Sequence, residues 1–156
     1  MKKAFLPFAI LLLSMLPGAA KDEIPRGFAP LAELTTLQTK AVTDKKMVVL
    51  VVKGMDDACP RCAAALDNGL KAVGSGVVKV FARAETIKEA DASAFPAPLK
   101  DRIAKGFTRG AYVTFVVFDP EMKKIIAEAG RSELETDRKA TAAFKKEIAE
   151  ARKTLK

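Results

Sequence analysis

Cys59 and Cys62 are the only cysteines in this 156-residue sequence, and only Pro60 and Arg61 separate them. There is no histidine. That removes Ser-His and Cys-His nucleophile pairs, histidine general bases and the commonest zinc ligand. Chemistry must therefore come from thiols, carboxylates, amines or backbone. If Cys59 opens a helix with Pro60 as its first residue, its sulfur faces unpaired N–H groups and the positive end of the helix dipole. Both favour thiolate over thiol. Arg61 acts in the same direction, whereas Asp56 and Asp57 oppose it. Cys62 falls one helical turn later, turned toward the protein. The other reading of the pair is a plain disulfide in an oxidising compartment. A four-residue ring gains only about 2 kcal/mol from loop entropy, against roughly 4.7 for a hundred-residue loop. A bridge meant only to stabilise would do better joining distant segments. Met55, Asp56 and Asp57 read as ordinary loop residues beside the pair, and no role is assigned to Lys53.

The elements that must position this pair are legible from periodicity. Residues 21–29 read as an irregular mature N-terminus, broken by Pro25 and Gly27. Pro30 suits the first position of a helix, in which Leu31, Leu34, Leu37 and Ala41 share one face to about Val42. Met47 to Val52 is a continuous apolar, β-branched run, the pattern of a strand covered on both faces. After a loop from Gly54 to Ala58, the residues Cys62, Leu66, Leu70 and Val73 step along one helix face that Gly74 and Gly76 terminate. Val77 to Ala84 reads as a strand and Asp91 to Pro98 as a loop. Leu99, Ile103 and Phe107 mark a short helix interrupted by Gly106. Tyr112 to Phe118 and Lys123 to Ala129 read as strands joined by the turn Asp119-Pro120-Glu121-Met122, hence a hairpin. Ser132 with Glu135 matches a capping box for a final helix, along which Leu134, Thr141, Ile148 and Leu155 recur every seven residues.

This order resembles the thioredoxin-like family over nearly the whole mature chain. The specific matches are Val48 to Val52 running into Cys59-Pro60-Arg61-Cys62, and Val113 to Asp119, similar to the family's Pro-Thr-(apolar)-Val-(apolar)-Phe-Asp strand. The resemblance implies an α/β, thioredoxin-like single domain over 30–156, with a central mixed β-sheet flanked by helices. It also implies thiol–disulfide exchange, with Cys59 attacking a partner's disulfide and Cys62 resolving the mixed disulfide. Two family features differ. Ala58 stands where the family has an aromatic residue, and Val113 stands at its cis-proline. A cis bond before valine costs about 2.5–4 kcal/mol, so a trans peptide is expected there. Two alternatives follow: a non-catalytic binding module with a fixed disulfide, and a Cu(I)-binding protein. The second rests on Val52-Lys53-Gly54-Met55 before Cys59-x-x-Cys62, which is similar to the copper-chaperone motif and offers soft thiolates. Three residues separate Met55 from Cys59, where that motif has one.

The first twenty residues read as a secretory signal peptide. Lys2 and Lys3 precede an apolar run from Ala4 to Leu16, and Pro17-Gly18-Ala19-Ala20 supplies the break, with cleavage between Ala20 and Lys21. Thirteen apolar residues are short of the roughly 20 that span a bilayer, so no stable membrane insertion is expected after cleavage. The product is then periplasmic or extracellular. The 27 basic and 19 acidic residues give +8, and loss of Lys2 and Lys3 lowers this to +6. The charges are mixed along the chain, and one tyrosine with no tryptophan leaves few platforms for stacking bases. No nucleic-acid partner and no cofactor are expected. The expected partners are thiols or disulfides of other exported proteins, or a redox partner.

Overall fold

Val48 to Lys53 is apolar at both side-chain parities until its last residue, so as a strand it must be covered from two sides. The computed structural model describes residues 24–54, 59–107 and 113–155. The strands are β1 (Ala29–Pro30), β2 (Val48–Lys53), β3 (Val78–Arg83), β4 (Val113–Phe118) and β5 (Ile125–Gly130). They form one mixed sheet in the order β1-β3-β2-β4-β5. β3 runs parallel to both β1 and β2, whereas β4 is antiparallel to β2 and β5. β2 is thus paired on both edges, and Val48 to Val52 are fully buried.

The helices are α1 (Leu34–Thr43), α2 (Pro60–Val73), α3 (Ala84–Glu89), α4 (Ala97–Ala104), α5 (Arg131–Glu135) and α6 (Arg138–Thr154). They cover the sheet in two layers, divided by the two-residue period of the strands. Val49, Val51, Phe115 and Val117 share a core with Leu66 of α2, Leu134 of α5, and Phe144 and Ile148 of α6. Val48, Leu50, Val52, Val116 and Phe118 share the opposite core with Leu34, Ile87 and Leu99 of α1, α3 and α4. The product is a single α/β domain with a mixed sheet between helical layers. Among the described residues no helix is long and apolar enough to cross a membrane.

Gly69 shows how closely α2 lies on this sheet. A Cβ at that position would overlap the Phe115 ring. Alanine forms helix better than glycine by about 1 kcal/mol, yet overpacking costs typically 1–3 kcal/mol. With the ring immobilised in the core, Gly69→Ala is expected to lower unfolding stability by about 1–2 kcal/mol in a urea titration.

Four local readings differ from the structure. Pro30 does not open a helix. Its backbone is extended (ψ 155°), it ends β1, and a short 3-10 turn, Leu31–Glu33, leads into α1. Proline is tolerated because β1 is an edge strand whose outer side needs no donor. The segment read as irregular up to 29 therefore ends in the sheet, and Ile24 and Phe28 pack on its core. α3 fills a stretch for which no helix was expected, held by buried Ile87. The capping box at Ser132 and Glu135 does not form. Gly130 N–H donates instead to the Glu133 carboxylate at 2.5 Å, so a five-residue helix intervenes. The final helix starts later, at Arg138, where the Asp137 carboxylate accepts from Ala140 N–H at 2.8 Å. The signal peptide read at 1–20 lies outside the described residues.

Candidate functional site

β2 delivers the chain to α2 through Lys53 and Gly54, and α2 begins where the cysteines stand. Cys59 is the N-cap residue with extended backbone (φ −73°, ψ 106°), Pro60 follows as the first helical residue, and Gly74 (φ 71°) closes the helix. Proline fits because the N–H it lacks would be unpaired in the first turn. The Cys59 sulfur itself does the capping, accepting the Cys62 N–H at 3.3 Å. The Cys59 carbonyl accepts from Cys62 and Ala63 N–H, each at 3.1 Å. Cys59 and Cys62 are joined as a disulfide, with Cα atoms 5.2 Å apart. Their environments are unequal: Cys62 is 1% exposed within the core, whereas Cys59 is half-buried and Pro60 and Arg61 are exposed.

Three elements meet at this end of the sheet. Lys53 pairs in register with Arg83 on one side and Val113 on the other. Arg83 donates to the Gly54 carbonyl at 3.0 Å, which ties the start of the Cys59 loop to β3. Val113 is fully buried and sits inside β4. Next to it the Thr114 hydroxyl is buried without a hydrogen-bond partner among the described residues. Beside Leu66 and Phe81 lies a groove of about 570 Å³ whose rim carries Arg26, Lys53 and Arg83. Met55, Asp56, Asp57, Ala58 and the Tyr112–Val113 peptide bond, about which the sequence raised expectations, lie outside the described residues.

Sequence reasoning missed Glu135. It stands at the end of α5, its side chain 12% exposed, and its carboxylate accepts the Arg61 Nε–H at 2.5 Å. Arg131 Nη1 lies 4.0 Å from its other oxygen. The hydrogen bond and charge of Glu135 raise the Arg61 guanidinium above its ordinary pKa. Asn68 of α2 donates to the Leu134 carbonyl at 2.8 Å, giving a second tie between α2 and α5. No sequence signal pairs residues 61 and 135, 74 positions apart. The available signal, a Ser-x-x-Glu word, pointed to helix capping instead.

A second ion pair ties α4 to β5. Arg102, buried in α4, grips Glu128 of β5 with two nitrogens, donates to the Gly106 carbonyl and lies over the Phe107 ring at 4.7 Å. It fastens the residues just before 108–112 to the sheet.

The arrangement can hold an oxidised pair at a helix start and, once reduced, present one thiol while hiding the other. No family model matches this chain, and no curated protein matches it in sequence.

Proposed function

We propose that this chain is an exported, thioredoxin-like thiol–disulfide oxidoreductase in which Cys59 is the nucleophile and Cys62 the resolving thiol. The observation that carries the reading is the unequal pair at the start of α2: a half-exposed, N-capping Cys59 joined to a core-facing Cys62 one turn later. The strand order β1-β3-β2-β4-β5, with β4 antiparallel to both of its neighbours, supports the thioredoxin-like assignment. β3 pairs with β1 and β2 rather than folding back on the next strand as a hairpin, which counts against the copper-chaperone arrangement.

In the reduced protein the Cys59 thiolate attacks one sulfur of a partner disulfide, and the other partner sulfur leaves as a thiolate. The Cys62 sulfur, deprotonated, then attacks Cys59 in the mixed disulfide. The second partner sulfur leaves, the partner has gained two electrons, and Cys59–Cys62 has lost them. The Cys62 N–H and the first-turn dipole stabilise the negative charge on Cys59 from which this sequence of steps starts. The groove beside Leu66 leaves room for an extended partner segment.

A second reading, a binding module with a fixed disulfide, is favoured by Val113. Its side chain is wholly committed to the core and no proline stands there to present substrate-docking backbone. Alkylation separates the two. After mild reduction, Cys59 is expected to react with iodoacetamide at least about tenfold faster than Cys62, as its exposure and thiolate character require. Equal, slow labelling of both would favour the fixed bridge.

A further inference from the structure

Arg61 lies between the two cysteines, and alone its charge would favour the reduced, thiolate-bearing state. The structure gives that charge a partner. Glu135 is nearly buried, its helix α5 is tied to α2 through Asn68, and the hydrogen bond the structure records for its carboxylate crosses to Arg61 at 2.5 Å. The other oxygen accepts no hydrogen bond among the described residues, with Arg131 Nη1 at 4.0 Å. A carboxylate removed from water is costly unless paired, and of its two cationic neighbours Arg61 at 2.5 Å is closer than Arg131 of α5 at 4.0 Å, so Arg61 is the stronger tie to the CxxC turn.

We propose that Glu135 is a positioning residue that sets the redox poise of the Cys59–Cys62 pair, making it more reducing by holding Arg61 and adding a negative charge beside the turn. The proposal rests on the redox reading above for its biological use, but not for its measurement. Reduction adds negative charge at Cys59. A guanidinium matched by a carboxylate within hydrogen-bond distance presents little net field there, whereas an unmatched one attracts it. Removing the carboxylate therefore stabilises the dithiol form. The other cations nearby, Arg131 beside Glu135 and Arg26, Lys53 and Arg83 at this end of the sheet, are common to all variants.

The test is equilibration of the purified protein with glutathione at pH 7. Two glutathione thiols become one glutathione disulfide, and their two electrons convert the Cys59–Cys62 disulfide to the dithiol. Glu135→Gln is expected to shift this equilibrium about fivefold toward the dithiol, ~20 mV at about 30 mV per tenfold for a two-electron couple. Arg61→Gln leaves Glu135 with only the more distant Arg131 and is expected to shift it the opposite way. The double variant should return to within about twofold of the parent, and Glu135→Asp, which keeps the charge, should stay near it. A merely structural brace would change the melting temperature without this pattern of signs. An unshifted Glu135→Gln, or Glu135→Gln and Arg61→Gln shifting in the same direction, would overturn the proposal. If Glu135→Gln does not fold, Arg61→Gln, an exposed first-turn change, still carries the sign. A shifted equilibrium in a protein without turnover would sink the oxidoreductase reading and leave this one standing; turnover with no shift would do the reverse.

Discussion

With Cys62 replaced by alanine, the protein is expected to accumulate as mixed disulfides with its partners, whereas the Cys59→Ala variant accumulates none. The asymmetry follows from burial. Cys62 is 1% exposed and cannot reach a partner's sulfur, so removing Cys59 removes the only accessible nucleophile. When Cys62 is absent, Cys59 still attacks, but nothing next to it completes the exchange. Well-oriented intramolecular reactions reach effective molarities of roughly 10⁵ M or more. Without that advantage the mixed disulfide decays by uncatalysed exchange, over roughly minutes to hours. Non-reducing gels of the exported fraction, followed by identification of the higher-mass species, check this. Equal trapping by both variants, or by neither, would favour a bridge with no exchange function.

The second large effect is on folding. Phe115→Ala is expected to lower stability by about 3–5 kcal/mol, the range for removing a buried phenylalanine. Phe115 is fully buried in β4, its ring lies against Gly69 of α2, and it meets the Phe144 ring of α6 edge-on at 6.3 Å between centroids. The cavity would therefore open where the sheet, α2 and the final helix meet. Domains of this size are stable by only about 5–15 kcal/mol, so the loss is a large share of the total. Urea unfolding of the oxidised protein measures it. A loss below about 1 kcal/mol would mean that α2 does not depend on this contact.

Long or chemically distinctive segments were legible in the sequence. Five consecutive apolar residues from Val48 required a strand covered on both faces. Pro60 after Cys59, with Gly74 beyond Val73, bracketed α2 at both ends. Short elements were not. β1 is two residues long and ends in Pro30, and its pairing with Val80 and Phe81 is a tertiary fact. α3 is six residues long, too short for periodicity to register, and is anchored by fully buried Ile87. Ahead of the final helix three capping signals crowd within eight residues: Gly130 with Glu133, Ser132 with Glu135, and Asp137. Two of them are used, Gly130 with Glu133 for α5 and Asp137 for α6, while the Glu135 carboxylate is engaged by Arg61 from another helix, a contact that no local sequence word shows. The candidate site was thus legible in its thiols and opaque in its electrostatics.

The most direct measurement is turnover of a disulfide-bridged, fluorescence-quenched peptide by catalytic amounts of the protein, with glutathione as the electron source. The wild-type chain is expected to reduce many equivalents of peptide, faster than glutathione alone, with activity lost in Cys59→Ala. A wild-type rate indistinguishable from that of the Cys59→Ala protein, with Cys59 shown to be reduced under the assay conditions, would contradict a redox function for this pair.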